Sequence, residues 1–205
     1  MKSLRWLSVL LVGCVLLGCS RGGTYRLYLR YDPAKDFPAL QEKIGMNLAV
    51  PPFKDERFDT RIVGFLAPLT GSYVYYRSEP FPLEKAIRDS LSDVLSPRGI
   101  KTVPVPGWNG QPDFLKGLEA DSILMVEIKK LWIEGNETLL GTDIKTSIQL
   151  LIHLGVKKEG RVFTRSMALD RNMKEMSLSP ALAQQILNQM LTDIFDSYFS
   201  NPYER

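Results

Sequence analysis

Between residues 144 and 156 every second side chain is apolar or threonine: Ile144, Thr146, Ile148, Leu150, Ile152, Leu154 and Val156. A repeat of two places those seven on one face of a strand and leaves Lys145, Ser147, Gln149, Leu151 and His153 on the other. A strand with one apolar and one half-polar face calls for a sheet that is covered mainly on one side. Its neighbours in sequence are strands too. Residues 122–134 set Leu124, Val126, Ile128 and Trp132 on one face, with Glu127 and Lys129 on the other, and the chain turns at Gly160 into residues 161–169. The connections are too short for crossovers, so these three strands run antiparallel.

The remaining elements are arranged around that core. Residues 25–31 alternate, with Tyr25, Leu27, Leu29 and Tyr31 on one side and Arg26, Tyr28 and Arg30 on the other. Residues 32–45 read as a crossing loop with a helical turn around Leu40–Ile44, and residues 46–53 as a short buried strand ended by prolines. Residues 54–81 form a long excursion with one or two irregular strands. Pro82 can open a helix whose stripe is Ile87, Leu91, Val94 and Leu95, and Pro97 and Gly99 stop it. Lys101–Pro104 is a brief strand and residues 113–119 a short helix. Ser179 and Pro180 supply an N-cap and first turn for a helix to Ser200, with Leu182, Ile186, Met190, Ile194 and Tyr198 at four-residue steps. The pattern predicts an α+β (mixed α/β) domain in two layers: a mixed, mostly antiparallel sheet with helices packed mainly on one face.

Ahead of this domain, Lys2 and Arg5 precede an apolar run from Trp6 to Leu17, and Gly18 leads into Cys19. That order is a secretory signal, too short to span a bilayer. Leu16-Leu17-Gly18-Cys19 resembles the lipobox of bacterial lipoproteins, which implies cleavage before Cys19 and acylation of its thiol, palmitate being among the acyl groups such processing attaches. An earlier match ending at Cys14 would leave a signal core near the lower length limit, so Cys19 is the better site; a plain signal peptide is the alternative. The expected division is a signal at 1–18, a lipidated tether at 19–24, one globular domain at 25–200 and a tail at 201–205.

Composition narrows the chemistry. The chain has 26 basic and 23 acidic residues, and the signal removes two bases and no acid, so the mature protein is close to neutral and carries no nucleic-acid footprint. Of two cysteines, Cys14 leaves with the signal and Cys19 becomes a thioether, so no disulfide can form. One histidine and no free thiol exclude a Cys/His zinc site and a Cys–His dyad. No phosphate-binding glycine loop or Gly-x-Ser-x-Gly motif is present. No catalytic set, metal site or cofactor is expected, and the chain reads as a protein other than an enzyme.

Four features carry a family resemblance: the lipobox cysteine, Leu48-Ala49-Val50 followed by Asp55-Glu56-Arg57, a helix ending near Gly99-Ile100, and Ala120-Asp121-Ser122-Ile123-Leu124. With these the chain resembles small outer-membrane lipoproteins of the YajG type and the PqiC-like auxiliary lipoproteins of ABC-type lipid-transport systems. The resemblance implies a compact mixed α/β fold, a lipid anchor and an accessory role without catalysis. Ser20 after the acylated cysteine implies, by the enterobacterial sorting rule, the outer membrane facing the periplasm.

Candidate sites are few. Tyr73 and Tyr75, with Arg77, combine area with polar tips and are the expected partner-binding residues. Val74 and Tyr76 between them would pack inward. His153 reads as a half-exposed sheet histidine, Glu134, Glu137 and Asp143 as a solvated loop, and Lys54-Asp55-Glu56-Arg57 as mutually neutralising charges in a turn. The expected partners are the membrane, through the lipid, and envelope proteins; oligomeric state is open. The expected function is a membrane-anchored accessory or assembly subunit of a lipid- or polymer-transport complex, the alternative a carrier or sensor for a lipid or small amphiphile.

Overall fold

The computed structural model describes residues 22–203; the signal, Cys14 and Cys19 lie outside the described residues. Among the described residues nine strands form one mixed, open sheet. They are β1 (Thr24–Tyr28), β2 (Asn47–Val50), β3 (Lys54–Asp55), β4 (Gly64–Ala67), β5 (Val74–Glu79), β6 (Lys101–Pro104), β7 (Ser122–Thr138), β8 (Gly141–Val156) and β9 (Arg161–Glu175). The helices are α1 (Leu40–Ile44), α2 (Leu83–Leu95) and α3 (Pro180–Ser200). Three strands fill the 54–81 excursion where the sequence suggested one or two.

β7 organises the whole sheet. Along one edge it pairs antiparallel with β8 from end to end, and β8 pairs likewise with β9. Along its other edge it meets three short parallel strands in file: β2 at Ser122–Ile123, β3 at 127–128 and β4 at 133–136. β6 extends the sheet beyond β2, while β5 and then β1 extend it beyond β4. The two longest ladders are antiparallel, as the short connections required.

All seven alternating residues of β8, from Ile144 to Val156, are buried, and so are Leu124, Val126 and Ile128 of β7. Trp132 is a correction. The register shifts between Ile128 and Lys130, so Lys129 is an extra residue in β7 and the alternation changes phase. Leu131 and Ile133 therefore take the core positions, and Trp132 turns to the opposite face. The 134–143 reading is corrected as well: β7 and β8 run on to a two-residue turn at Leu139 and Leu140, so Glu134, Glu137 and Asp143 are strand residues.

Helices α2 and α3 cover the core face. Leu83, Ile87, Leu91 and Leu95 are buried from α2, and Ile186, Leu187, Met190, Leu191, Ile194, Phe195 and Tyr198 from α3. Pro82 is the cap of α2 rather than its first residue. The Ser179 hydroxyl accepts from the Leu182 N–H and Pro180 follows, so α3 starts where expected.

A polar ladder on α3 went unread in the sequence. After β1 the chain stays extended over residues 28–34 along the helix. The Tyr28 N–H donates to Gln184 Oε1 at 2.8 Å, and the Arg30 N–H to Asn188 Oδ1 at 3.0 Å. Thr192 Oγ1 donates to the Asp32 carbonyl at 2.9 Å, and the Ala34 N–H donates to Asp196 Oδ2 at 3.1 Å. Four helical residues rise about 6 Å and two extended residues about 6.6 Å, so side chains at steps of four on α3 meet backbone groups at steps of two.

Ala120-Asp121-Ser122 has a structural task. Asp121 Oδ2 accepts the Met46 and Asn47 N–H groups, both at 2.9 Å, and the Ser122 hydroxyl donates to the Ile44 carbonyl. Together they fix where β2 starts beside β7.

Candidate partner-binding face

The sheet face turned away from α2 and α3 divides into two ends. At one, residues 105–120 fold back and bury Trp108, Leu115 and Leu118 against Ala49, Ile123 and Met125. Gly155 makes room for them: a Cβ there would stand 2.7 Å from Leu115 and 2.8 Å from Ile123.

At the other end lie Tyr73 and Tyr75. In β5 the residues 74, 76 and 78 face the helices and 75, 77 and 79 face outward. The Tyr73 and Tyr75 rings stack at 6.3 Å. Phe65, opposite Tyr75 in register, meets Tyr73 edge-on at 5.5 Å, and Trp132 meets Phe65 edge-on at 6.0 Å. The result is an aromatic file, Tyr75–Tyr73–Phe65–Trp132, across β5, β4 and β7, with Tyr73 52% and Tyr75 40% exposed. Edge-to-face rings of this kind hold one another in place. Gly64 lets the file close up, because a Cβ at its φ of 153° would stand 1.9 Å from the Ile133 carbonyl oxygen.

Arg77 borders the file, its guanidinium 5.5 Å from the centre of the Phe81 ring. Its Nε is buried and makes no hydrogen bond among the described residues. Arg26 lies beside it in register and pairs with Glu79 at 3.6 Å.

Beyond Trp132, an open cleft of about 350 Å³ is lined by Arg57, Phe58, Asp59 and residues 129–132. Its rim is held by a buried clasp: Arg57 Nε donates to Asp55 Oδ1 at 2.9 Å and a terminal nitrogen to Asp55 Oδ2 at 2.7 Å. The same guanidinium donates to the Ile62 carbonyl at 2.7 Å. The clasp leaves Phe58 fully exposed at the mouth of the cleft. Asp55 and Arg57 thus neutralise each other, but Lys54 and Asp55 are strand β3 rather than a turn, and Lys54 and Glu56 reach β7, where Lys54 pairs with Glu127 and Glu56 with Lys129.

His153 faces the same charged group. Its Nδ1 is 2.9 Å from Thr164 Oγ1, and Nε2 is 3.7 Å from Glu127 Oε1. Burial holds its pKa below the ordinary imidazole value, against the pull of Glu127. Glu127 is held below the usual carboxylate range chiefly by its hydrogen bond from Lys129. Burial thus favours the uncharged form of His153 within a braced ion-pair cluster.

Of the acidic residues, Glu134 accepts from Asn136 Nδ2, Glu137 accepts from the Leu69 N–H, and Asp143 pairs with Lys174. Among the described residues no group of three or more His, Cys, Asp or Glu gathers as a metal site, and no helix is long and apolar enough to cross a membrane. Phe65, Phe58 and Trp132 are the site residues that sequence reasoning missed. The Lys129-Lys130 doublet, breaking an otherwise regular alternation, is the signal that would have found Trp132.

No family model and no curated protein matches the chain. Solved structures share its fold. Protein XCC0632 from Xanthomonas campestris, described under DUF330, superposes with a TM-score of 0.56 at 15% identity, covering 88% of this chain and 94% of that one. The crystal structure of an uncharacterized protein gives a TM-score of 0.52 at 14% identity, covering 90% of this chain and 100% of that one. The lipoprotein GNA1162 from Neisseria meningitidis gives a TM-score of 0.37 at 11% identity, over 73% of this chain and 98% of that one. At these identities what the chain has in common with the first two is the architecture, and that architecture agrees with the mixed α/β fold implied by the lipoprotein resemblance.

Proposed function

We propose that the chain is a bacterial envelope lipoprotein, anchored through Cys19, whose domain is a non-catalytic accessory or assembly subunit. The aromatic file is its partner-binding face. The observation that carries this reading is the contrast on one sheet face: the Trp108 end is covered by the chain's own residues, whereas Tyr75, Tyr73, Phe65 and Trp132 are held by one another, with both tyrosines exposed and Phe65 and Trp132 half-buried. Aromatic residues beside an arginine are the composition of interface hot spots. The fold shared with a DUF330 protein and the lipobox are in keeping with an envelope location. A complex moving lipid or polymer is the favoured partner, and the outer membrane the favoured site.

Affinity purification of the acylated protein from membranes tests the reading. The wild type should recover envelope transport or assembly proteins, and Tyr73→Ser combined with Tyr75→Ser should lose them while keeping the fold. Equal recovery by both proteins would refute the assignment of this face. A second reading, a carrier of a small amphiphile, is favoured by the apolar cleft beneath Phe58 and Trp132, whose volume lies at the lower end for ligand pockets. Lipid co-purifying with the wild type and absent from Trp132→Ala would support it.

A further inference from the structure

We infer that the end of the sheet carrying the β7–β8 turn is a membrane-contact surface, with Leu139, Leu140, Leu69 and Met176 entering the boundary between headgroups and acyl chains of the bilayer that holds the Cys19 lipid. The inference rests on the lipoprotein reading above and adds an orientation to it.

Three independent strands of geometry meet here. The first is exposure: Leu139 is 91%, Leu140 82% and Met176 88% exposed. A two-residue hairpin turn is ordinarily built from Asn, Gly or Asp, so two leucines at its tip are unexplained by the fold itself.

The second is register. Thr138 pairs with Gly141, Thr142 with Glu175, and Ala67 with Asn136. The β7–β8 turn, the end of β9 and the β4–β5 turn, with Leu69, thus lie together at one end of the sheet. Tyr73, immediately before β5, stands just behind them, where an amphipathic ring suits the headgroup zone.

The third is the length of chain that precedes the described residues. The Gly23 carbonyl accepts the Tyr75 N–H at 2.8 Å, and a Cβ on Gly22 would touch Ser72 and the Tyr73 carbonyl. The tether therefore leaves the domain at this same end. Three residue steps separate Gly22 from Cys19, a reach of at most about 10–11 Å. Leu139 lies three strand positions beyond Asn136, about 10 Å further out than the level at which the tether leaves. A Cys19 seated in a bilayer thus brings the leucine turn to that bilayer's surface. The opposite end, at Lys157 and Lys158, is separated from it by the length of β8, roughly 50 Å, and stays in water.

The experiment uses the full chain, processed in cells, purified and reconstituted into phosphatidylethanolamine–phosphatidylglycerol vesicles. Leu140→Cys, Met176→Cys and Lys158→Cys each place one thiol for an environment-sensitive fluorophore, and mass spectrometry reads the mature N-terminus. Labels at 140 and 176 should shift to the blue and be quenched several-fold more by doxyl-labelled lipids than the label at 158. An acylated protein in which all three labels are equally wet would overturn this inference and leave the anchor standing. An N-terminus without acyl chains would bring down the anchor reading itself. Shielding at 140 from iodide without quenching by doxyl lipid would give the tip to a protein partner or a second copy, and would likewise overturn it.

Discussion

Trp108 and Trp132 lie on the same face of the same sheet, one near the start of β7 and the other near its end, yet their surroundings differ. Trp108 is sealed by its own loop, donates through Nε1 to the Gln111 carbonyl and packs on Leu115 and Ile123. Trp132 packs on Phe65 and borders an open cleft. The difference teaches where the molecule buries its apolar surface against itself and where it leaves that surface uncovered. A sheet face needs cover; residues 105–120 supply it at one end, and at the other the rings cover only each other.

That contrast can be broken or sharpened by substitution. Trp108→Ala should cost the most, about 3–5 kcal/mol in denaturant unfolding, because it empties a closed cluster; a loss under about 1 kcal/mol would mean the 105–120 segment is not part of the core. Gly155→Ala should cost about 1–3 kcal/mol by crowding Leu115 and Ile123, whereas Tyr73→Ser with Tyr75→Ser should stay within roughly 1 kcal/mol. Equal destabilisation at the two ends would erase the distinction.

The adjacent tyrosines of β5 offer a finer test. Tyr76 is buried, its hydroxyl donates to the Leu178 carbonyl at 2.9 Å, and burial pushes its pKa up to about 12. An unfolded phenol titrates near 10. The raised value belongs to the folded state, so the stabilisation is whole below about pH 10 and is lost as pH rises towards 12. Tyr76→Phe should cost about 1 kcal/mol at neutral pH and reduce the alkaline loss of stability. Part of that loss should remain, because the Tyr31 and Tyr198 phenols are shifted in the same direction by burial. Smallest of all, Trp132→Ala should leave the unfolding midpoint nearly unchanged while removing the tryptophan fluorescence that iodide quenches.

Where a pattern is local, it was legible. The alternation of β8, the stripe and cap of α3, the turn at Leu40–Ile44 and the strand Lys101–Pro104 all follow from residues adjacent in sequence. What escaped depends on partners far along the chain. The extra residue at Lys129 flips Trp132 because β8 tolerates the register shift, and Gly135 lies within β7, where the missing side chain makes room for Leu178 and Leu66. Gln184, Asn188, Thr192 and Asp196 look like the solvent side of a helix until the segment 28–34 is laid along them. In the same way, Tyr73, Tyr75 and Arg77 stood out by composition, but Phe65 and Trp132 join them only through the pairing of β4 with β5 and β7.

The ladder on α3 has a mechanical consequence. β1 begins at the end of the sheet where the tether leaves and runs away from it, so tension applied through the residues before Gly22 is directed along the strand axis. It loads the β1–β5 hydrogen bonds and the rungs at Gln184, Asn188, Thr192 and Asp196 in shear, all at once, rather than peeling them apart one by one. Under the proposed anchorage at Cys19, the domain would take its pull in the direction in which these hydrogen bonds resist most.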